Sequence, residues 1–168
     1  PDYRTDWSEY TFWANNSGGV SSSSIWLAVH DLSADQDELL RGMGQTSWGG
    51  WPSPVLPIGE WSFPVAFAEG GYTSEIPVIS ASHAGKGRML GYGHESWVGG
   101  SGGIEETAFS LRAVEWVCGA NADVGLAYGA GFDGFQDELE SEGHTVHNSV
   151  SPDNLSGLDC LLDEFWNG

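Results

Sequence analysis

The sequence predicts an α/β fold with a mostly parallel sheet and a central β-hairpin. Two apolar runs, residues 76–82 and 88–92, flank the glycine-bearing turn 84–87, and glycine supplies the positive φ that a tight hairpin turn requires. Further along the chain, the pattern strand, helix, strand begins at Ala122. Because a short crossover of this kind joins parallel strands through a right-handed connection, the second half predicts a parallel sheet.

The N-terminal part of the chain differs from the rest in composition. Residues 1–24 carry aromatic side chains followed by Asn, Gly and Ser, which predicts an arm and then a flexible loop. Residues 24–29 have the length and apolar content of a buried strand. We therefore divide the chain into an arm and loop over residues 1–24 and an α/β domain over residues 25–168, which we expect to be part of a longer chain.

Two helices are predicted from capping signals and apolar spacing. Residues 33–36, Ser-Ala-Asp-Gln, match a capping box, in which the serine oxygen accepts a hydrogen bond from the amide three residues later. The first helix therefore begins at Ser33 and ends at Gly44. The second is predicted over residues 105–118, where apolar side chains recur at helical spacing, and Gly119 follows it as a natural C′ residue.

The C-terminal part repeats the alternation of strand and helix. Apolar patterns predict a strand over 122–128, a helix over 132–142, a strand over 144–148 and a third apolar run over 158–162. Between the first strand and the helix, residues 129–134 match Gly-x-Gly-x-x-Gly, a pattern typical of dinucleotide-binding turns. The acidic residue that binds the ribose is missing after the second strand, so the favoured interpretation is loop packing.

Charge and composition exclude several classes of function. The chain has 24 acidic side chains against five Lys and Arg, a net charge of −19. Such a surface repels nucleic acid and anionic membranes, because both are bound through cationic side chains. No apolar run reaches the roughly 18–20 residues that span a bilayer. No cofactor is predicted, with calcium left as an open alternative although neither acidic cluster has EF-hand spacing.

The two cysteines, Cys118 and Cys160, have two interpretations. They form a disulfide in an oxidising compartment, or they are two buried thiols. Neither is expected to be a nucleophile, because Cys118 lies late in an amphipathic helix and Cys160 lies in an apolar run, where burial shields a thiol.

Five polar side chains follow predicted strands and form the candidate ligand-binding rim: His30, Asp31, His94, Glu95 and Tyr128. Open α/β sheets bind ligands at such a rim. His94-Glu95 is not a zinc motif, because Val98 stands where His-Glu-x-x-His requires its second histidine. A triad with Ser96 is disfavoured, since no Gly-x-Ser-x-Gly surrounds it. No catalytic residue and no metal ligand is predicted.

The loop of residues 45–62 is a second candidate surface, because it holds Trp48, Trp51 and Trp61 among glycines and prolines. Exposed indoles stack on sugars, which makes Trp48 and Trp51 candidates for carbohydrate binding. The favoured interpretation is that these rings cover the edge of the sheet, because an indole buries a large area.

Three stretches resemble a known family. They are residues 56–65, which contain Leu-Pro-Ile-Gly and Phe-Pro-Val, residues 76–78, Ile-Pro-Val, and residues 85–95, Gly-Lys-Gly-Arg-Met-Leu-Gly-Tyr-Gly-His-Glu. With the helix around 112–116 and the strand 124–128, they resemble the N-terminal domain of enhancin-like, mucin-degrading metallopeptidases and of TRP-channel-associated factors. The resemblance implies a three-layer, class I glutamine-amidotransferase-like sandwich, with helices on both faces of the sheet, beside a separate zinc peptidase domain.

The resemblance implies an accessory role, because the peptidase motif His-Glu-x-x-His and the elbow Gly-x-Cys-x-Gly do not occur in this sequence. We expect a non-catalytic domain of a secreted or cell-surface protein that recognises a glycoprotein or glycan and carries further domains. The alternatives are a small hydrolase or amidase that uses His94 and Glu95, and a tryptophan-based carbohydrate-binding module.

Overall fold

The computed structural model describes residues 7–16, 19–28, 31–44, 53–68, 76–94, 104–127 and 132–163. The chain divides into two compact units, Pro1–Asp31 and Leu32–Gly168. Helices and strands alternate in the second unit, which confirms the mixed α/β class. The strands of the described ranges form three small sheets rather than the mostly parallel sheet expected from the sequence.

The first unit is an antiparallel hairpin of two ten-residue strands, β1 (Trp7–Asn16) and β2 (Gly19–Ala28). Pairing is continuous along both strands. The prediction of a flexible loop at the four serines is wrong, because residues 21–24 lie inside β2. Serine has little preference for a strand, but a continuous ladder satisfies the backbone N–H and C=O groups. The predicted division into domains at residue 24 stays a prediction.

The second unit begins with a helix and an antiparallel sheet of order β3-β4-β5. These elements are α1 (Leu32–Leu39), β3 (Ser62–Ala68), β4 (Ile76–Ala84) and β5 (Gly87–Tyr92). The predicted hairpin is confirmed, since β4 and β5 pair on either side of a turn in which Gly85 has a φ of 62°. Glycine has no Cβ and therefore adopts this positive φ at low cost, which explains its place in the turn.

Two local features of this sheet differ from the sequence prediction. The helix α1 ends at Leu39, before the predicted end at Gly44, and Gly42 in the following turn has a φ of 74°. The strand β3 was not expected among the glycines and prolines of this region. It tolerates Pro64 because it is an edge strand with an irregular register there, where the missing N–H of proline costs little.

The parallel sheet predicted for the C-terminal part is confirmed. Its elements are α2 (Ile104–Cys118), β6 (Asp123–Ala127), α3 (Asp133–Ser141), β7 (Thr145–Val150) and β8 (Cys160–Leu162). The strand order is β7-β6-β8, and both outer strands run parallel to β6. The chain therefore places β7 on one side of β6 and then crosses to place β8 on the other side.

Helix α2 connects the cores of the two sheets. Its residues Phe109, Ala113 and Trp116 are buried in the core of the antiparallel sheet, while Val114 is buried in that of the parallel sheet. Val117 packs against both. One helix thus buries two apolar faces, which agrees with the apolar side chains predicted at helical spacing along it.

A disulfide joins the end of α2 to the edge strand β8. Cys118 and Cys160 are bonded, with their Cα atoms 5.2 Å apart. Of the two alternatives left open by the sequence, the structure therefore has the disulfide. Gly119 follows with a φ of 92°, and its N–H donates to the carbonyl oxygen of Glu115, so the predicted C′ glycine is confirmed.

Candidate functional site: a groove beside strand β5

A groove with a volume of about 1190 Å³ lies within the second unit. Its walls are the extended segment 53–58, the strand β5 with the two residues after it, one face of α2, and residues 161–163 at the end of β8. It therefore lies where the antiparallel and the parallel sheet both border α2. We call it the β5 groove.

The segment 53–58 is held against the sheet by backbone hydrogen bonds. The N–H of Ser53 donates to the carbonyl oxygen of Gly93 at 2.8 Å, and the N–H of Val55 donates to that of Pro77 at 2.8 Å. The Ser80 hydroxyl donates to the carbonyl oxygen of Val55. A Cβ on Gly93 would overlap with the backbone of Ser53. Glycine is therefore required there, because the two backbones approach more closely than a side chain permits.

Strands β4 and β5 both border the groove. Residues 88–94 line it without interruption. Ser80, Ala81 and Ser82 of β4 line it as well. Because neighbouring side chains of a strand point to opposite faces, the groove meets both faces of this sheet beside β5. β5 is the last strand in the order β3-β4-β5, and β8, whose end forms the opposite wall, is the last in the order β7-β6-β8.

Three large apolar side chains stand exposed along the groove. Leu56 is 64% exposed, Ile58 is 87% exposed and Met89 is 62% exposed, and all three line it. Single exposed apolar side chains are common, but a group of them beside a concave surface marks a site of interaction. We call these three residues the apolar rim.

A buried polar cluster fixes the wall of the groove from behind. The His83 Nε2 and Asp35 Oδ2 atoms are 2.7 Å apart, and the Trp116 indole N–H donates to Asp35 Oδ1 at 2.9 Å. The Arg88 guanidinium lies 4.9 Å from the centre of the Trp116 ring and donates to the Trp116 carbonyl oxygen at 2.9 Å. We call these four residues the Asp35–Trp116 cluster.

This cluster links α1, β4, β5 and α2, and it was missed by sequence reasoning. The His83 side chain is 4% exposed and that of Asp35 is 13% exposed, so the pair is closed to a substrate. Its arrangement serves structure, because charge-assisted hydrogen bonds between distant elements hold them in one geometry. The only sequence signal was an acidic residue in the first turn of a predicted helix.

Two ionisable groups near the groove have shifted pKa values. Burial raises the pKa of the Tyr92 phenol above its usual range, and the hydrogen bond with Ser110 opposes the shift only in part. The phenol therefore stays protonated at neutral pH and acts as a neutral group. Burial also lowers the pKa of Arg112, and the nearby charge of Arg41 lowers it further.

Two of the five residues that the sequence placed at one rim, Asp31 and His94, lie in the described ranges. His94 lines the β5 groove and is half-buried. Asp31 is exposed and ends the first unit. Five candidates lie outside the described residues: His30, Glu95, Tyr128, Trp48 and Trp51. Trp61 is 40% exposed and is not among the residues that line the groove.

Metal-binding clusters and membrane-spanning helices are both absent from the described ranges. They contain no group of three or more His, Cys, Asp or Glu side chains arranged to hold a metal ion. None of the helices in these ranges combines the length and the apolar character needed to span a bilayer.

Comparison with protein families identifies the relatives of this chain. Residues 13–160 match the TCAF_N family model, described as "TRPM8, N-terminal domain". The chain belongs to this family. The match covers all walls of the β5 groove except residues 161–163, so the groove is built mainly from the TCAF_N domain. No solved structure matches the chain significantly.

Curated relatives agree with the family assignment. The chain is 31% identical over 138 residues to the TRPM8 channel-associated factor homolog of Xenopus laevis, covering 80% of this chain and 14% of the relative. It is 30% identical over 131 residues to TRPM8 channel-associated factor 3 of Rattus norvegicus, covering 74% and 13%. The TCAF_N chain therefore spans about a seventh of the length of these relatives.

Proposed function

We propose that this TCAF_N chain is a non-catalytic accessory domain that binds a partner protein at the β5 groove, and that its partner is a TRPM8-type channel. The observation that carries the proposal is the apolar rim beside a groove that runs along an edge strand. Large apolar side chains exposed beside a concavity are typical of protein-binding surfaces. The names of the relatives supply the class of partner.

The chemistry of the groove supports a binding role over catalysis. Tyr92 is a neutral phenol, and the histidine–carboxylate pair of the Asp35–Trp116 cluster is closed to solvent. A catalytic histidine has to come within hydrogen-bond reach of a reacting group, and His83 does not face an open surface. The large side chains that are most exposed along the groove are the three apolar ones of the rim, which suits recognition of another chain.

Retention of the channel tests this function. Detergent-solubilised TRPM8 is passed over the immobilised chain, and over an immobilised unrelated protein of similar negative charge as the matched control. We expect the chain to retain the channel well above the control, because the apolar rim adds binding that charge alone does not provide. Equal retention on both surfaces would refute the proposal.

A second candidate, recognition of glycoproteins outside the cell, is favoured by the Cys118–Cys160 disulfide. Disulfides form and persist in oxidising compartments, which supports a secreted or cell-surface location. Within this candidate we also propose the glutamine-amidotransferase-like sandwich and the association with an enhancin-like peptidase, both implied by the resemblance of residues 56–65, 76–78 and 85–95. A mucin-glycan array with and without calcium tests it, and the His94→Ala variant, which changes a candidate ligand-binding residue, should bind more weakly than the native chain. Binding to no glycan in either condition would exclude it.

A further inference from the structure

We propose that Asn154 is the acceptor of an N-linked glycan on the loop between β7 and β8. This inference goes beyond the proposed function and does not depend on channel binding, because no residue from 133 to 160 lines the β5 groove. Three observations support it: a tripeptide in the sequence, the exposure of that tripeptide in the structure, and the disulfide.

The loop carries the tripeptide that N-linked glycosylation requires. Residues 154–156 are Asn-Leu-Ser, which matches Asn-x-Ser/Thr with a middle residue other than proline. Asn148 is followed by serine and valine, so it lacks the hydroxyl two residues later and does not match. Asn15 matches through Ser17, which lies outside the described residues. The experiment therefore has to distinguish Asn154 from Asn15.

The structure leaves this tripeptide open to a modifying enzyme. Residues 151–157 are all exposed and lie between the two strands. The Asn154 N–H donates to the carbonyl oxygen of Ser151 at 2.9 Å, so the backbone is held in a turn. In the described part of the chain, the side-chain amide of Asn154 makes no hydrogen bond. A surface turn with an unengaged side chain accommodates a bulky group without loss of a contact that the fold needs.

The disulfide supports the compartment in which this modification takes place. Cys118 and Cys160 are bonded, and disulfides form and persist in oxidising compartments such as the lumen of the endoplasmic reticulum. In a eukaryotic cell, that lumen also contains the oligosaccharyltransferase. Cys160 follows Asn154 by six residues, so one short segment of the chain carries both the cross-link and the acceptor.

The reaction is a group transfer in which the chain is the substrate. The donor is an oligosaccharide joined through its C1 atom to a lipid diphosphate, and the transferase supplies the catalysis. The Asn154 Nδ2 atom attacks that C1, a C–N bond forms, and the C–O bond to the diphosphate breaks. The lipid diphosphate leaves with the electron pair of the broken bond, and the amide nitrogen releases one proton to the solvent.

Expression of the full chain behind a cleavable secretion signal in cultured animal cells tests the site. Both the secreted and the cell-retained protein are digested with peptide-N-glycosidase F, which converts a glycan-bearing asparagine to aspartate. Peptide mass spectrometry then identifies the position. We expect a glycan at Asn154 and its complete loss in Ser156→Ala, which leaves the asparagine in place. Ser156→Thr keeps the hydroxyl and should keep the glycan.

Asn148→Gln is the matched control, because Asn148 is an exposed asparagine outside the tripeptide, and this variant should be glycosylated as the native chain is. Unmodified Asn154 in the expressed chain would overturn the proposal, and so would a glycan found only at Asn15. The Asn154→Gln variant should retain the channel as the native chain does, because residue 154 does not line the β5 groove. Failure to retain the channel refutes the proposed function, whereas an unmodified Asn154 refutes only this inference.

Discussion

Removal of the disulfide is the perturbation whose magnitude the structure defines best. Cys118 and Cys160 are separated by 42 residues, and the loop-entropy relation gives about 4 kcal/mol for a cross-link of that span. The Cys118→Ala/Cys160→Ala variant is therefore expected to lose about 4 kcal/mol in free energy of unfolding. For a chain of 168 residues, a loss of that size lowers the melting temperature by about 10 °C.

Urea unfolding followed by tryptophan fluorescence measures this effect. Three samples are compared: the native protein, the double variant, and the native protein kept under a reductant. The two samples without the cross-link should unfold at the same urea concentration, well below the native protein. Their m-values should be larger, because an unfolded chain without the cross-link exposes more surface.

Two results would refute the reasoning. The first is a loss of less than about 1 kcal/mol in the double variant, since the loop-entropy term alone exceeds that value. The second is the detection of two free thiols per chain when the protein with its own sequence is unfolded without a reductant. Single variants at either cysteine serve as controls, because each removes the whole cross-link and should approach the double variant.

Three further predictions concern the groove and the Asp35–Trp116 cluster behind it. Gly93→Ala should lower the free energy of unfolding by about 1–3 kcal/mol, because the added methyl overlaps with a facing backbone. In the control Gly44→Ala, the added Cβ meets no atom within 4 Å, so its free energy of unfolding in urea should be within about 0.5 kcal/mol of the native value. Trp116→Phe removes the hydrogen bond to Asp35 and should lower the free energy of unfolding by about 3 kcal/mol in the same assay. A loss below about 1 kcal/mol would contradict the structural role of the Asp35–Trp116 cluster. Because burial raises the pKa of Tyr92, the folded state holds that proton more strongly than the unfolded chain. The resulting stabilisation is fully present below about pH 10 and is lost as the pH rises further. As the pH rises above about 10, the urea midpoint should therefore fall less in Tyr92→Phe than in the native protein. An identical fall in both proteins would contradict the raised pKa of Tyr92.

Local patterns determined most of the helices and strands. Apolar residues at helical spacing predicted α2, and the turn glycine at position 85 predicted the β4–β5 hairpin. The pattern after Ala122 predicted β6, α3 and β7 and their parallel pairing, because a short crossover has one favourable handedness. These elements depend on residues close together in the sequence, so they can be recognised without knowledge of the fold.

Pairing between distant parts of the chain was not predictable to the same extent. The strand predicted over residues 24–29 was expected within the α/β domain, but its described residues pair with β1 in a separate hairpin. Likewise, the central hairpin and the parallel strands form different sheets. Strand patterns show which residues are buried and say little about which strand lies beside which, because any compatible edge satisfies the same backbone groups.

The sequence by itself determined the mixed α/β class, the central hairpin, the parallel C-terminal unit and the extreme acidity of this TCAF_N chain. The tertiary structure alone decided the β5 groove and the Asp35–Trp116 cluster. Asp35 is 48 residues from His83 and 81 residues from Trp116, and the segment 53–58 meets β5 only through the fold. Such sites form when packing brings separate elements together, and no pattern within one element encodes which partner it will meet.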